Sequence, residues 1–101
     1  MYAVIWLHEA EISYYEELDF IFRKWNIVEV EKFTILIYDF LETLSRRPTI
    51  GIYSKKYDTY SCVISNQTTL FYRIIENELK IELLLFWNNK QNPKLLDKFL
   101  K

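Results

Sequence analysis

Lys55-Lys56 stands among Tyr53, Tyr57 and Tyr60, so ammonium groups and phenol rings alternate over a few residues. Ammonium groups neutralise phosphate and flat rings stack on bases, a combination that suits single-stranded RNA. Tyrosine-rich strands are equally the stuff of a half-buried sheet. A second candidate is the pair Tyr72-Arg73 within the apolar run TLFYRII. Neighbours on a strand point to opposite faces, so Arg73 either reaches a groove or lies along the sheet margin. The third is the abrupt change at residues 83–96, where LLLFW gives way to NNKQNPKLL. There Lys90, Gln91 and Asn92 can donate to phosphate or to another chain's backbone, while Asn and Pro are also ordinary turn residues.

Other chemistries lack their parts. One histidine (His8) and one cysteine (Cys62) cannot supply a three- or four-ligand zinc set. No acidic triplet has calcium-loop spacing, and one glycine, Gly51, cannot make a phosphate-cradling loop. A serine–histidine hydrolase would need orienting groups that the sequence does not place. Neither metal nor cofactor is expected. A lone cysteine in a strand reads as a small core residue, and His8 as a capping or surface group where strand becomes helix.

These candidates need elements to hold them. Tyr2–Leu7 is short, apolar and partly β-branched, which predicts a strand. From Glu9 the period changes: Tyr14, Leu18, Ile21, Phe22 and Trp25 form one helical stripe, with Glu11, Glu16, Glu17 and Asp19 placed off it. Asn26, three residues before Glu29, predicts the N-cap of a second helix with the stripe Phe33, Ile37, Phe40, Leu41 and Leu44. Arg46-Arg47 suits the negative end of that helix, and Pro48 stops it. Strands are then predicted over Tyr57–Ser65, Thr68–Ile75 and Leu79–Trp87, with turns at Asn66-Gln67 and Glu76–Glu78. The centre of the last is apolar on both faces, as a middle strand would be. Pro93 opens a short terminal helix. The expected architecture is α+β: an N-terminal strand, a two-helix hairpin, an antiparallel three-strand meander and a short C-terminal helix.

The chain of 101 residues is expected to make one domain over 1–101, with no long linker. No apolar run reaches the roughly 18 residues of a membrane span, so no membrane partner is expected. The N-terminal stretch lacks a positive start and meets acid at Glu9, unlike a secretory leader. With Cys62 alone, a reducing cytoplasm is the expected compartment. Charge divides unevenly: residues 1–45 hold nine acids against three bases, and residues 46–101 ten bases against five acids. Such lopsidedness marks either a basic face for an acidic partner or two solvated surfaces of opposite sign.

The β-α-α-β-β-β order, with particular residues, resembles the RelE/ParE family of type II toxin–antitoxin systems, the plasmid stabilisation proteins. The matching pieces are the first strand with Ala10 beginning a helix, the Trp25-to-Phe33 helix turn, Leu44 followed by Pro48 and Gly51, LFYRI at 70–74 and FWNNKQNPKLL at 86–96. The resemblance implies a bacterial growth inhibitor and a cognate antitoxin that wraps it, oligomers forming through the antitoxin complex. It implies one of two targets. A ParE-like member binds a macromolecular target such as DNA gyrase, and the partner-binding residues here would be Tyr60, Arg73, Trp87, Lys90, Gln91 and Asn92. A RelE-like member cleaves mRNA in the ribosome, here with Lys55, Lys56, Tyr72, Arg73 and Lys90 as catalytic groups. A third outcome is an interaction domain that kept the fold without toxicity. In such proteins arginines commonly face the groove where Tyr60 and Ser61 stand, an acid follows the tryptophan where Asn88 stands, and arginine stands at Lys90. Lysine cannot make arginine's bidentate phosphate contact, so these departures favour the binder over the ribonuclease.

Overall fold

In the computed structural model, which describes residues 1–101, the chain runs β1 (Ala3–Trp6), α1 (His8–Lys24), α2 (Ile27–Arg46), β2 (Ile52–Ser54), β3 (Thr59–Val63), β4 (Thr68–Ile75), β5 (Lys80–Asn88) and α3 (Asp97–Leu100). Single 3-10 turns at Pro48–Ile50, Glu76–Glu78 and Pro93–Leu96 join the elements. The α+β order read from the sequence is present, with one addition. The meander has four strands, because Ile52–Ser54 pairs antiparallel with β3 as an edge strand. Three residues are too few to show a period-2 pattern, so nothing in the sequence marks it.

The sheet order is β1-β5-β4-β3-β2, with β1 parallel to β5 and the other pairs antiparallel. β5 therefore lies between two partners, as its two apolar faces predict. The hairpin α1–α2 covers one face of the sheet, over a core that includes Leu70, Tyr72, Ile81, Leu83 and Phe86. Fully burying a side chain such as Leu83 or Phe86 contributes about 2–3 kcal/mol. The other face is covered in part by the C-terminal turn and α3, where Phe71, Leu85, Trp87 and Leu100 make a smaller cluster. A bulge lets strand β5 serve both faces. Phe71 pairs with Leu85 and Tyr72 with Leu83, leaving Leu84 over.

Local chemistry explains the joints. Asn26 Oδ1 accepts from Glu29 N at 3.0 Å, the cap that the spacing predicted. β1 ends beside Leu83, where Leu7 N donates to Leu83 O. Beyond it α1 takes over the uncovered edge, and Ser13 Oγ accepts from Phe86 N at 2.9 Å. Ala10 and Ser13 are small enough for the helix to lie that close, and both are buried.

The α2 stripe is the predicted one, with Phe33, Ile37, Leu41 and Leu44 buried and Phe40 partly so. The α1 stripe needs correction. Its buried positions are Ala10, Ser13, Tyr14, Glu17 and Ile21, whereas Phe22 and Trp25 are half exposed. Glu17 lies seven residues after Ala10 and four before Ile21, so it sits on the core line rather than off it. An apolar count alone hides such a residue.

A candidate macromolecular interface at the exit of the last strand

The asparagines that follow Trp87 are occupied with their own turn. Asn89 N donates to Gln67 O at 2.6 Å, Asn89 Nδ2 to Asn66 O at 3.2 Å, and Asn89 Oδ1 accepts from Thr69 Oγ1 at 2.7 Å. Asn88 Oδ1 accepts from Lys90 N, and Asn92 Oδ1 accepts from Lys94 N, each at 3.0 Å. Asn92 thus caps the turn opened by Pro93 instead of offering its carbonyl to a partner. What the loop presents outward is Lys90 and Gln91, both exposed.

Under this loop lies a buried carboxylate. Glu17, 4% exposed, accepts from Asn88 Nδ2 at 3.0 Å through Oε1. Its Oε2 accepts from Thr68 Oγ1 at 2.5 Å and Gln67 Nε2 at 3.2 Å. All three donors are neutral. Charge-assisted hydrogen bonds of this kind are what make a buried carboxylate tolerable without a cation. They tie α1 to the β3–β4 turn and to the end of β5, and so fix the base from which Lys90 and Gln91 project.

The lysine–tyrosine patch belongs to the other end of the meander. Lys55 and Lys56 lie in the turn between β2 and β3. Tyr53 packs edge-on against Tyr60 at 5.3 Å, and Tyr60 stacks on Tyr72 at 5.5 Å. Tyr57 donates to Asp97 at 2.6 Å, while Lys56 lies 3.6 Å from Asp97 and 5.1 Å from the Tyr57 ring centre. The Tyr57 hydroxyl, with Lys56 and Lys101 nearby, holds the Asp97 carboxyl below the usual carboxylate range. The same bond to Asp97 pushes the Tyr57 phenol up. Tyr57 and Lys56 thus clamp α3 onto the sheet, leaving Lys55 without such a partner.

Tyr72 and Trp87 have no surface to offer. Tyr72 is fully buried, donates to Pro48 O at 2.7 Å and accepts from Gly51 N at 3.1 Å. Burial pushes its phenol up to about 12, so it remains protonated at neutral pH. Such a group cannot reach an RNA hydroxyl, and its place among the catalytic candidates is corrected accordingly. Trp87 is 5% exposed, covered by the C-terminal cluster, so its place as a contact residue is corrected too. Tyr60 is half buried on the helix-covered face and packs against the main core. Arg73 lies 3.5 Å from Glu82 across the strand pair. Thr68 pairs with Asn88, so Arg73 stands five residues along β4, about 16 Å from the exit of β5. Lys55, Lys56, Tyr72, Arg73 and Lys90 therefore do not converge.

No family model matches the sequence, and no curated protein matches it. A search of solved structures finds a YoeB/ParE toxin from Agrobacterium tumefaciens, 15% identical, with a TM-score of 0.57, covering 86% of this chain and 98% of that one. The chain has the fold of a YoeB/ParE toxin.

The toxin fold also assembles residues that the sequence did not single out. The Lys90 ammonium beside it, with some loss of water, holds the Lys24 ammonium at the end of α1 below the usual lysine range. Lys24 also sits 4.9 Å from the Trp25 ring centre and 5.6 Å from that of Phe20. Beside them a cleft of about 470 Å³ runs between the hairpin and the β3–β4 turn, walled by Ile21, Trp25, Phe33 and Leu36 and by Ser65, Asn66 and Gln67. The signal is the half-polar helix end Arg23-Lys24-Trp25, of which the helical stripe claims Trp25 for the core. No three of the His, Cys, Asp and Glu side chains stand close enough together to hold a metal ion.

Proposed function

We propose that this chain is the toxin component of a type II toxin–antitoxin pair, ParE-like in acting by binding a macromolecular target such as DNA gyrase in the cytoplasm. A cognate antitoxin neutralises it. The toxin fold supports the general reading. The observation that carries the choice of binding over cleavage is the dispersal of the candidate catalytic side chains. Cleaving RNA needs a base, a cation and a proton donor around one phosphate. Here the one tyrosine proposed for the work is locked under the sheet. A binder needs only a rigid surface, and the β5 exit is one. Lys90 and Gln91 stand on a turn whose polar groups are internally bonded.

Arg73 on β4 and Lys90 at the exit of β5 lie about five extended residues apart. An antitoxin segment laid along the sheet would contact both. Expressed alone, the protein is expected to arrest bacterial growth, with inhibited gyrase supercoiling and a DNA-damage response, and without site-specific message cleavage in primer extension. Defined cuts would transfer the reading to a ribosome-dependent ribonuclease. Unimpaired growth with the protein present would remove toxicity altogether. Lys90→Glu combined with Arg73→Glu is expected to weaken the complex with the product of an adjacent antitoxin gene, and unchanged affinity by calorimetry would remove this surface.

A further inference from the structure

The helical hairpin presents apolar side chains on its solvent side as well as its core side. Tyr15 and Ile35 are 66% and 62% exposed, and Ile12, Phe22, Val28 and Tyr38 also stand in solvent. Their spacing is regular: Ile12, Tyr15 and Phe22 recur at three and seven residues along α1, and Val28, Ile35 and Tyr38 at seven and three along α2, each set on one helix face. The helices bring the two sets side by side. Tyr14 lies 3.5 Å from Thr34 Oγ1, and Tyr15 and Tyr38 share one shallow hollow with Glu11. Val28 to Tyr38 spans about 15 Å along α2, a little under three helical turns.

The charge left unpaired on this face has one sign. Arg23, Lys32 and Arg46 are each paired within their own helix, with Asp19, Glu29 and Glu42. Glu11, Glu16, Glu31 and Asp39 form no ion pair, and they interleave with the apolar positions. A large apolar patch on a helix face marks an interaction site, and unpaired charge around it selects the partner by sign.

We infer that the outer face of the α1–α2 hairpin docks a cationic amphipathic helix of a partner protein, with its apolar stripe on Tyr15, Phe22, Ile35 and Tyr38 and its lysines or arginines against Glu11, Glu16, Glu31 and Asp39. A shallow trough between two helices accepts a third helix, whose anchors recur at the same spacing. A second copy meeting this face with the same face would set the unpaired carboxylates against each other. The inference does not rest on toxicity, because the surface is on the opposite side of the hairpin from the sheet and its rim.

The test titrates the full chain with a fluorescent peptide of about five helical turns, at 3.6 residues per turn, built from leucine and lysine in amphipathic order. The comparison is the same peptide with glutamate for lysine. The leucine–lysine peptide is expected to bind at least about tenfold more tightly, and to weaken as salt is raised. Ile35→Lys, a change at an exposed site, is expected to cut that affinity by about tenfold or more, as loss of an interface anchor does. Glu78→Lys, at the far end of the sheet, is expected to leave it unaltered. Equal binding of the two peptides, or no response to Ile35→Lys, would overturn the assignment. So would sedimentation showing a dimer of the free chain that Ile35→Lys dissolves, since the face would then belong to a second copy.

Discussion

Glu17 and Tyr72 are both polar side chains buried beneath the sheet, and they hold different things. Tyr72 is neutral and bonds two backbone groups of one connection, Pro48 O and Gly51 N. It keeps the end of α2 against the start of the meander. Glu17 gathers side chains from the β3–β4 turn, from β4 and from the end of β5. It keeps the corner that displays Lys90 and Gln91. A neutral phenol with two partners can lose one without leaving a charge exposed to a low dielectric. A carboxylate cannot, so the surface assigned to binding rests on the less forgiving of the two anchors.

Removing the charged anchor is therefore expected to cost most. Glu17→Ala leaves Gln67 Nε2, Thr68 Oγ1 and Asn88 Nδ2 without their acceptor. A loss of about 3 kcal/mol in urea unfolding is expected, since each buried donor left unpaired costs about 1–3 kcal/mol and some regain water. Glu17→Gln keeps the shape and one acceptor oxygen, and should cost about half as much. Were both variants to unfold at the wild-type urea midpoint, the contrast between the two anchors would collapse.

The next largest effect belongs to the neutral anchor. A Cβ on Gly51 would stand 2.6 Å from Tyr72 Oη and 2.7 Å from Ser61 O. The backbone there is extended, so close approach rather than a special dihedral demands glycine. Gly51→Ala is expected to cost about 2 kcal/mol, the range for forcing extra atoms into a packed site. In a double-mutant cycle, Tyr72→Phe should lessen that penalty, because it removes the nearer of the two clashing atoms. Strict additivity would show that the Ser61 carbonyl alone opposes the methyl group.

The same contrast explains what could be read from the sequence. The α2 cap at Asn26, its stop at Pro48, the last strand and the turn after it all rest on local rules, and local rules are visible in one dimension. The edge strand Ile52–Ser54 owes its existence to pairing with β3, which no window of three residues can display. Glu17 escapes a reading of the sequence because charge there marks solvent, and its three donors lie 50 or more residues away. Tyr72 and Trp87 were candidates for contact because an aromatic ring can serve a partner or a core equally well. Burial, a property of the whole fold, decides between these. The exposure of Lys90 and Gln91 is legible because they interrupt an apolar pattern instead of continuing it.

The smallest expected effect is also the most diagnostic of the neutral anchor. Tyr72→Phe keeps the ring against Tyr60 and removes only the hydroxyl, leaving Gly51 N–H and Pro48 C=O to find water at a partly open edge. A loss of about 1 kcal/mol near neutral pH is expected. The pH dependence then separates this bond from mere packing. Burial raises the phenol of folded Tyr72 to about 12, above its ordinary value of 10.0. Between those values the folded chain keeps a proton that the unfolded chain has released, so unfolding becomes more favourable as pH rises. The hydroxyl's contribution is thus whole below pH 10 and fades toward pH 12. Other tyrosines with raised values, among them Tyr2, Tyr14 and Tyr53, add their own alkaline sensitivity to both proteins. The difference between wild type and Tyr72→Phe cancels that background. It should shrink, and then reverse in sign, as urea midpoints are followed upward through this window. A difference that stays constant across it would mean that the hydroxyl ionises as freely in the folded chain as in the unfolded one.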